Sequence, residues 1–222
     1  MEAILKIQSI RHVTHDVLQF VTERPAGIDF VSGQAADISL NLEGWKEAIR
    51  PFTFTGLPHY DYLQFTIKTY PSRKGVTAKL LDLVPGNEFI LHGVFGAIHY
   101  RGEGYFIAGG AGITPFISIF RYLQSRNEIG NNRLIFANKT IDDIILKDEF
   151  EKMLGKNFIN ILSEKPAEGY AFGIVNEEFL RANMPDKGKI VYVCGPPPME
   201  DGIVKILKSM NIDESLIVKE AV

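Results

Sequence analysis

The periodicity of apolar residues changes near residue 102, and that change confines the chain to two architectures in series. Before it, short runs rich in Ile, Val, Phe, Tyr and Thr alternate with turn residues. Residues 3–10, 17–22, 36–40, 52–55, 63–70 and 88–92 read as strands, with Pro25/Gly27, Ser32-Gly33, Gly56/Pro58 and Pro85-Gly86 between them. Residues 63–68 alternate strictly, the pattern of a half-buried strand. Six strands at roughly ten-residue spacing predict a six-stranded antiparallel β-barrel, interrupted by one short helix near 77–83.

After Gly102 the reading is strand, helix, strand. Residues 105–108, 133–137, 157–162 and 190–194 are short apolar strands, and 216–218 adds a fifth. Residues 115–124, 146–154, 177–182 and 199–210 are the helices between and after them. Apolar strands separated by helices predict an α/β doubly wound parallel sheet. The division falls at 1–101 and 102–222, and pieces of ~100–120 residues can each hold a core.

Charge and cysteine content remove several function classes. Twenty-four basic against 27 acidic side chains give a net charge of −3, with no general pull toward nucleic acid or an anionic membrane. Cys194 is the single cysteine, so neither a disulfide framework within the chain nor a four-thiolate cluster is expected. No metal site is read from the sequence. Residues 1–6 lack the basic and apolar segments of a signal peptide. The longest uncharged run, residues 104–120, is shorter than the ~20 residues that span a bilayer. A soluble, cytoplasmic protein is the expectation.

Four segments carry residue types suited to ligands. Ile107-Ala108-Gly109-Gly110-Ala111-Gly112-Ile113-Thr114-Pro115 links a strand to a helix. Glycines there let backbone N–H groups approach an anion, and the helix N-terminus adds partial positive charge. Pro115 stands where the usual dinucleotide fingerprint has a third glycine, and a tight turn without ligand is the plain alternative. Cys194-Gly195-Pro196-Pro197-Pro198-Met199 leaves the end of another strand, at the sheet edge where such folds bind ligands. Stiff, glycine-opened backbone beside a thiol suits a docked flat ring, whereas a lone cysteine is commonly a small buried hydrophobe. Arg50-Pro51-Phe52-Thr53 offers a guanidinium, a ring and a hydroxyl, and Arg73-Lys74-Gly75-Val76-Thr77 a basic turn before a helix.

In their order and spacing, these four motifs resemble the ferredoxin–NADP reductase superfamily across essentially the whole chain. The resemblance implies a barrel holding FAD, with FMN as the alternative, and a second domain taking a nicotinamide dinucleotide. Arg50 would then hold a flavin phosphate, Phe52 would pack on the isoalloxazine, and Thr53 would bond flavin N5. Lys68 and Tyr70 match the strand contacting the ribityl and adenosine portions, and Gly75, Val76 and Thr77 the turn facing the pyrophosphate. Gly110, Gly112, Thr114 and Pro115 would receive the nicotinamide cofactor. Cys194 would sit beside nicotinamide C4, with Gly195, Pro196 and Met199 completing the wall.

The segments Phe136-Ala137-Asn138-Lys139-Thr140 and Gly173-Ile174-Val175-Asn176-Glu177 look like the branch that reduces haem cytochromes with NADH. Asp143 would disfavour a 2′-phosphate there, while nearby Lys139 argues the other way; NADH is favoured over NADPH. The family often ends in an aromatic residue over the flavin, whereas this sequence ends in Val222, which would cover it loosely. The function implied is hydride transfer from NAD(P)H to flavin, then electrons to a separate protein: a ferredoxin, flavodoxin, cytochrome or oxygenase component. Thr53 and Cys194 are the residues nearest the chemistry. The alternatives are a free-flavin or ferric-chelate reductase and a non-catalytic flavin-binding redox sensor.

Overall fold

A computed structural model describes residues 2–96 and 98–219. The chain forms two compact units. One gathers residues up to His99 together with Thr114–Tyr122, and the other holds Tyr100–Ile113 and everything from Leu123 onward.

The first unit contains β1 (Ala3–Thr14), β2 (Val17–Glu23), β3 (Ala35–Leu40), β4 (Arg50–Thr53), β5 (Tyr62–Lys68), a one-turn helix α1 (Val76–Lys79) and β6 (Glu88–Phe95). The strands form one antiparallel sheet in the order β4-β3-β6-β1-β2-β5. An antiparallel bridge between Phe54 and Phe65 draws the two ends of that order together, as a barrel requires. Phe20, Phe54, Phe65 and Phe89 fill the interior with Leu5, Ile7 and Leu18. Phe30 stacks on Phe54 with ring centroids 4.1 Å apart. Each such buried ring is worth roughly 1.5–3 kcal/mol relative to exposure.

β5 departs from the half-buried expectation, because both of its faces are covered and Gln64 and Thr66 are buried. The cause is α2 (Thr114–Ser125), the helix after the glycine turn, most of which packs with the barrel. Arg121 of α2 donates to the Thr55 carbonyl at 2.8 Å and to Gln64 Oε1 at 2.5 Å, and Ser118 donates to the Gly56 carbonyl at 2.8 Å. Thr55 and Thr66 hydroxyls meet at 3.0 Å. The polar side chains of β5 are thus buried with partners, which removes the penalty of burying them.

The second unit contains β7 (Gly104–Gly109), β8 (Arg133–Asn138), α3 (Lys147–Leu154), β9 (Phe158–Leu162), β10 (Ala171–Phe172), α4 (Glu177–Asn183), β11 (Ile190–Cys194), α5 (Pro197–Ser209) and β12 (Ile217–Lys219). Its sheet is parallel throughout, ordered β10-β9-β8-β7-β11-β12. Two-residue β10 has no counterpart in the sequence reading, being too short to show periodicity. Ile107, Ile135, Val191 and Val193 pack against Leu180 of α4 and Ile203 and Leu207 of α5. Tyr192 shows how the chain enters this unit. Its ring stacks on Phe106 at 4.2 Å, and its hydroxyl accepts from the Arg101 and Gly102 N–H groups while donating to the Gly102 carbonyl. One hydroxyl thereby satisfies three backbone groups of the segment before β7.

Candidate functional site

The order of the parallel sheet determines where a ligand could sit. From β7 the chain crosses to β8 on one side, while β11 lies on the other. Such a reversal leaves a crevice outside the carboxyl ends of the two adjacent strands. The glycine turn leaves β7 there, and Cys194-Gly195-Pro196 leaves β11.

These two motifs, far apart in sequence, touch. A Cβ on Gly112 would fall inside the contact radius of the Cys194 carbonyl oxygen and 2.6 Å from the Gly195 nitrogen. Only hydrogen fits at that position. Gly110 adopts a left-handed φ of +50°, with open space where a side chain would point. The Met199 thioether lies against Gly109. Cys194 is buried at 7% exposure, and Pro196 caps α5 by accepting from the Met199 and Glu200 N–H groups at 2.8 and 3.1 Å. Glu200, buried in the first turn of α5, accepts the Gly195 N–H at 2.9 Å. The arrangement is a tight wall of backbone with a thiol at its end, open beside Gly110. It fits a dinucleotide in kind: donors for a diphosphate and an apolar edge for a flat ring.

In the first unit, Arg50 is exposed at the start of β4 and donates to the Ile49 carbonyl at 2.6 Å. Phe52 is buried in the barrel core. Thr53 is half-buried, and the Thr114 hydroxyl donates to it at 3.2 Å. A hydroxyl has one proton, so a Thr53 oxygen that accepts from Thr114 keeps its own proton to donate elsewhere. Lys68 pairs with Asp16 at 2.8 Å, and the Arg73 guanidinium lies 4.4 Å from the Tyr70 ring centroid. Val76 anchors α1 in the core, which leaves the backbone N–H groups of Gly75, Val76 and Thr77 at the helix start. Cations and helix-start N–H groups on one barrel are the kind of donor set an FAD pyrophosphate needs, so these residues fit that group. Pro115 is buried in the first turn of α2. Val222 lies outside the described residues.

Asp143 is buried in a different setting from the one its sequence neighbourhood suggests. Its carboxylate accepts from the Thr140 N–H at 2.9 Å and the Thr140 hydroxyl at 2.7 Å, forming a capping box. Lys139 is met by Glu164 at 2.8 Å. At the end of β8, both amide atoms of Asn138 are buried without a protein partner, a state ordinarily relieved by water or ligand. Sequence reasoning did not single out Glu200, although an acid in the first turn after Pro-Pro-Pro-Met is a helix-start signal. The Thr114–Thr53 bond and the Arg121 contacts carry no sequence signal, because they join residues of separate elements.

Comparison with known proteins identifies the family and the fold. Residues 106–205 match the family described as "Oxidoreductase NAD-binding domain". The chain is 31% identical to NADH-cytochrome b5 reductase 1 of Aspergillus terreus, over 90% of this chain and 74% of that protein. It is 29% identical to NADH-cytochrome b5 reductase 2 of Mycosarcoma maydis, over 89% of this chain and 62% of the relative, so it spans under two thirds of that protein's length. In fold it is similar to a ferredoxin NADP+ reductase from Neisseria gonorrhoeae solved with FAD and NADP. That likeness has a TM-score of 0.84 at 18% identity and covers 98% of this chain and 97% of the other. Among the described residues no helix is long and apolar enough to cross a membrane.

Proposed function

The chain belongs to the ferredoxin–NADP reductase superfamily, on the branch of the NADH-cytochrome b5 reductases, and from that premise we propose that it passes electrons from NADH through FAD to a separate redox protein. It is an oxidoreductase of the flavin- and NAD-using kind. The observation that carries the reading is the meeting of the Gly109–Gly112 turn with Cys194-Gly195 at the ends of adjacent parallel strands.

When bound, FAD supplies the chemistry of accepting a hydride and releasing electrons singly. The residues of this chain supply placement. Arg50 and the N–H groups of Gly75, Val76 and Thr77 hold the flavin's diphosphate, with Lys68 and Tyr70 along its ribityl and adenosine portions. Phe52 supports the ring, and Thr53, its hydroxyl oriented by Thr114, donates toward N5. Gly110 and Gly112 of the turn after β7, with Thr114 and Pro115 at the start of α2, take the dinucleotide phosphates. Cys194, Gly195, Pro196 and Met199 form the wall for the nicotinamide. No protein nucleophile is required, and rate comes from orientation and from exclusion of water.

Two features support NADH over NADPH. The capping role of Asp143 places a carboxylate in the turn after β8, and the cation that argued for a phosphate, Lys139, has its charge met by Glu164. The acceptor we propose is a cytochrome-like redox protein, in keeping with the names of the cytochrome b5 reductase relatives, and the setting is cytoplasmic. The functional division is residues 1–101 for the flavin and 102–222 for the dinucleotide.

The test is anaerobic. Purified protein loaded with FAD should be yellow, NADH should bleach it within the turnover time, and NADPH should do so more slowly. A flavin that neither coenzyme bleaches would defeat the assignment. Bleaching with normal turnover of free flavin, but not of any protein acceptor, would favour a flavin reductase instead.

A further inference from the structure

Glu200 is a buried carboxylate that none of the roles above employs. It is 8% exposed in the first turn of α5, and its Oε1 accepts the Gly195 N–H at 2.9 Å. A charged side chain is unfavourable in such a place unless it is compensated. The N–H and the positive end of the 13-residue helix α5 supply part of the compensation. Capping alone does not call for a charge, since Gln could accept the same bond and Asn, Ser or Thr cap helices well.

The position of the charge is the informative feature. Gly195 directly follows Cys194, whose carbonyl lies against Gly112 in the wall proposed for the nicotinamide. Hydride donation changes that ring's charge. The C4–H bond breaks, a proton with two electrons passes to the flavin, and the ring goes from neutral in NADH to cationic in NAD+. A fixed negative charge stabilises the cationic ring more than the neutral one, so it favours departure of the hydride.

We propose that Glu200 is a positioning residue for hydride donation, fixing the Cys194–Gly195 turn and setting a negative charge where the nicotinamide becomes cationic. The inference rests on the reading that a dinucleotide binds at the turns after β7 and β11. At an effective dielectric of about 20, a unit charge anywhere within about 10 Å of the ring favours its cationic form at least about tenfold.

The experiment uses FAD-loaded protein and two ligands, NAD+ and 1,4,5,6-tetrahydro-NAD, whose reduced ring is neutral and does not donate hydride. Affinities are read from the flavin spectrum, and thermal stability is measured alongside. Glu200→Gln keeps an acceptor for the Gly195 N–H and removes the charge. It should weaken NAD+ about tenfold, weaken the neutral analogue less than about twofold, and slow flavin reduction by NADH by a factor similar to the NAD+ loss. Glu200→Asp keeps the charge on a shorter arm. It should retain the preference for NAD+ while lowering the melting temperature. Equal losses for both ligands in Glu200→Gln, or no loss, would reduce Glu200 to a helix cap and overturn the proposal. A selective NAD+ loss in Glu200→Asp but not in Glu200→Gln would overturn it as well. If wild-type protein bound neither ligand, the dinucleotide reading itself would fall, a result distinguishable from the others.

Discussion

Cys194 and Asp143 show how differently two residues singled out from one sequence can be placed. Cys194 ends β11 with its backbone pressed against Gly112. If Cys194 lines the nicotinamide as proposed, Cys194→Ala should leave FAD bound and slow single-turnover flavin reduction by NADH at least about tenfold. An unchanged rate in stopped flow would remove the thiol from the chemistry. Asp143 faces into its own turn, and substitution tests two roles at once. Asp143→Ser should cost about 1 kcal/mol through the lost capping box, read as a lower melting temperature, and should narrow the ratio of NADH to NADPH turnover. An unchanged ratio with lowered stability would leave Asp143 a cap alone. The sequence shows an acid near a binding turn, but a capping box needs the backbone of Thr140 in place before the partner of that acid can be seen.

At the scale of elements, strands were legible because alternation is a local property, and the glycine and proline motifs because they mark chain reversals. What a second element adds was not legible. β5 reads as half-buried and is buried on both faces, since α2 arrives from farther along the chain to cover Gln64 and Thr66. The contact between the two motif turns is of the same kind and gives a sharp prediction. Gly112→Ala puts a methyl group into the Cys194 carbonyl, so the turns must separate. A loss of roughly 1–3 kcal/mol in denaturant unfolding is expected, together with loss of dinucleotide binding and normal FAD content. Wild-type stability in that variant would mean the two turns are not packed as described.

The amino ends of the adjacent inner strands β7 and β11 hold a pH-dependent fastening. Glu103 pairs with Lys189 and accepts the Asn131 N–H at 2.7 Å, and these bonds hold its carboxyl below the ordinary range. A carboxyl lowered on folding contributes stability above its unfolded pKa and loses it as pH falls through the folded value. Lys189, raised by the same pair, contributes below the ordinary lysine pKa and loses that contribution as pH rises through the folded value. Both groups are partly exposed, so the pair is worth no more than about 1 kcal/mol. Glu103→Gln should lower the melting temperature by a few degrees at neutral pH. The difference should vanish below the carboxylate range, and a gap that persists there would show that packing, not charge, fastens these two strand ends.

For the molecule as a whole, the fold class was legible because each half needs its own periodicity to bury its own core, whereas the kind of cofactors came from the family resemblance of the ordered motifs. The charge placement around Cys194 came only from the folded chain. If the turns after β7 and β11 form one dinucleotide site, a crystal structure of FAD-loaded protein soaked in NAD+ should show diphosphate density on the N–H groups of Gly110–Gly112 and the nicotinamide ring against Cys194. Well-ordered dinucleotide bound elsewhere, or empty density at these turns under saturating NAD+, would rule that site out.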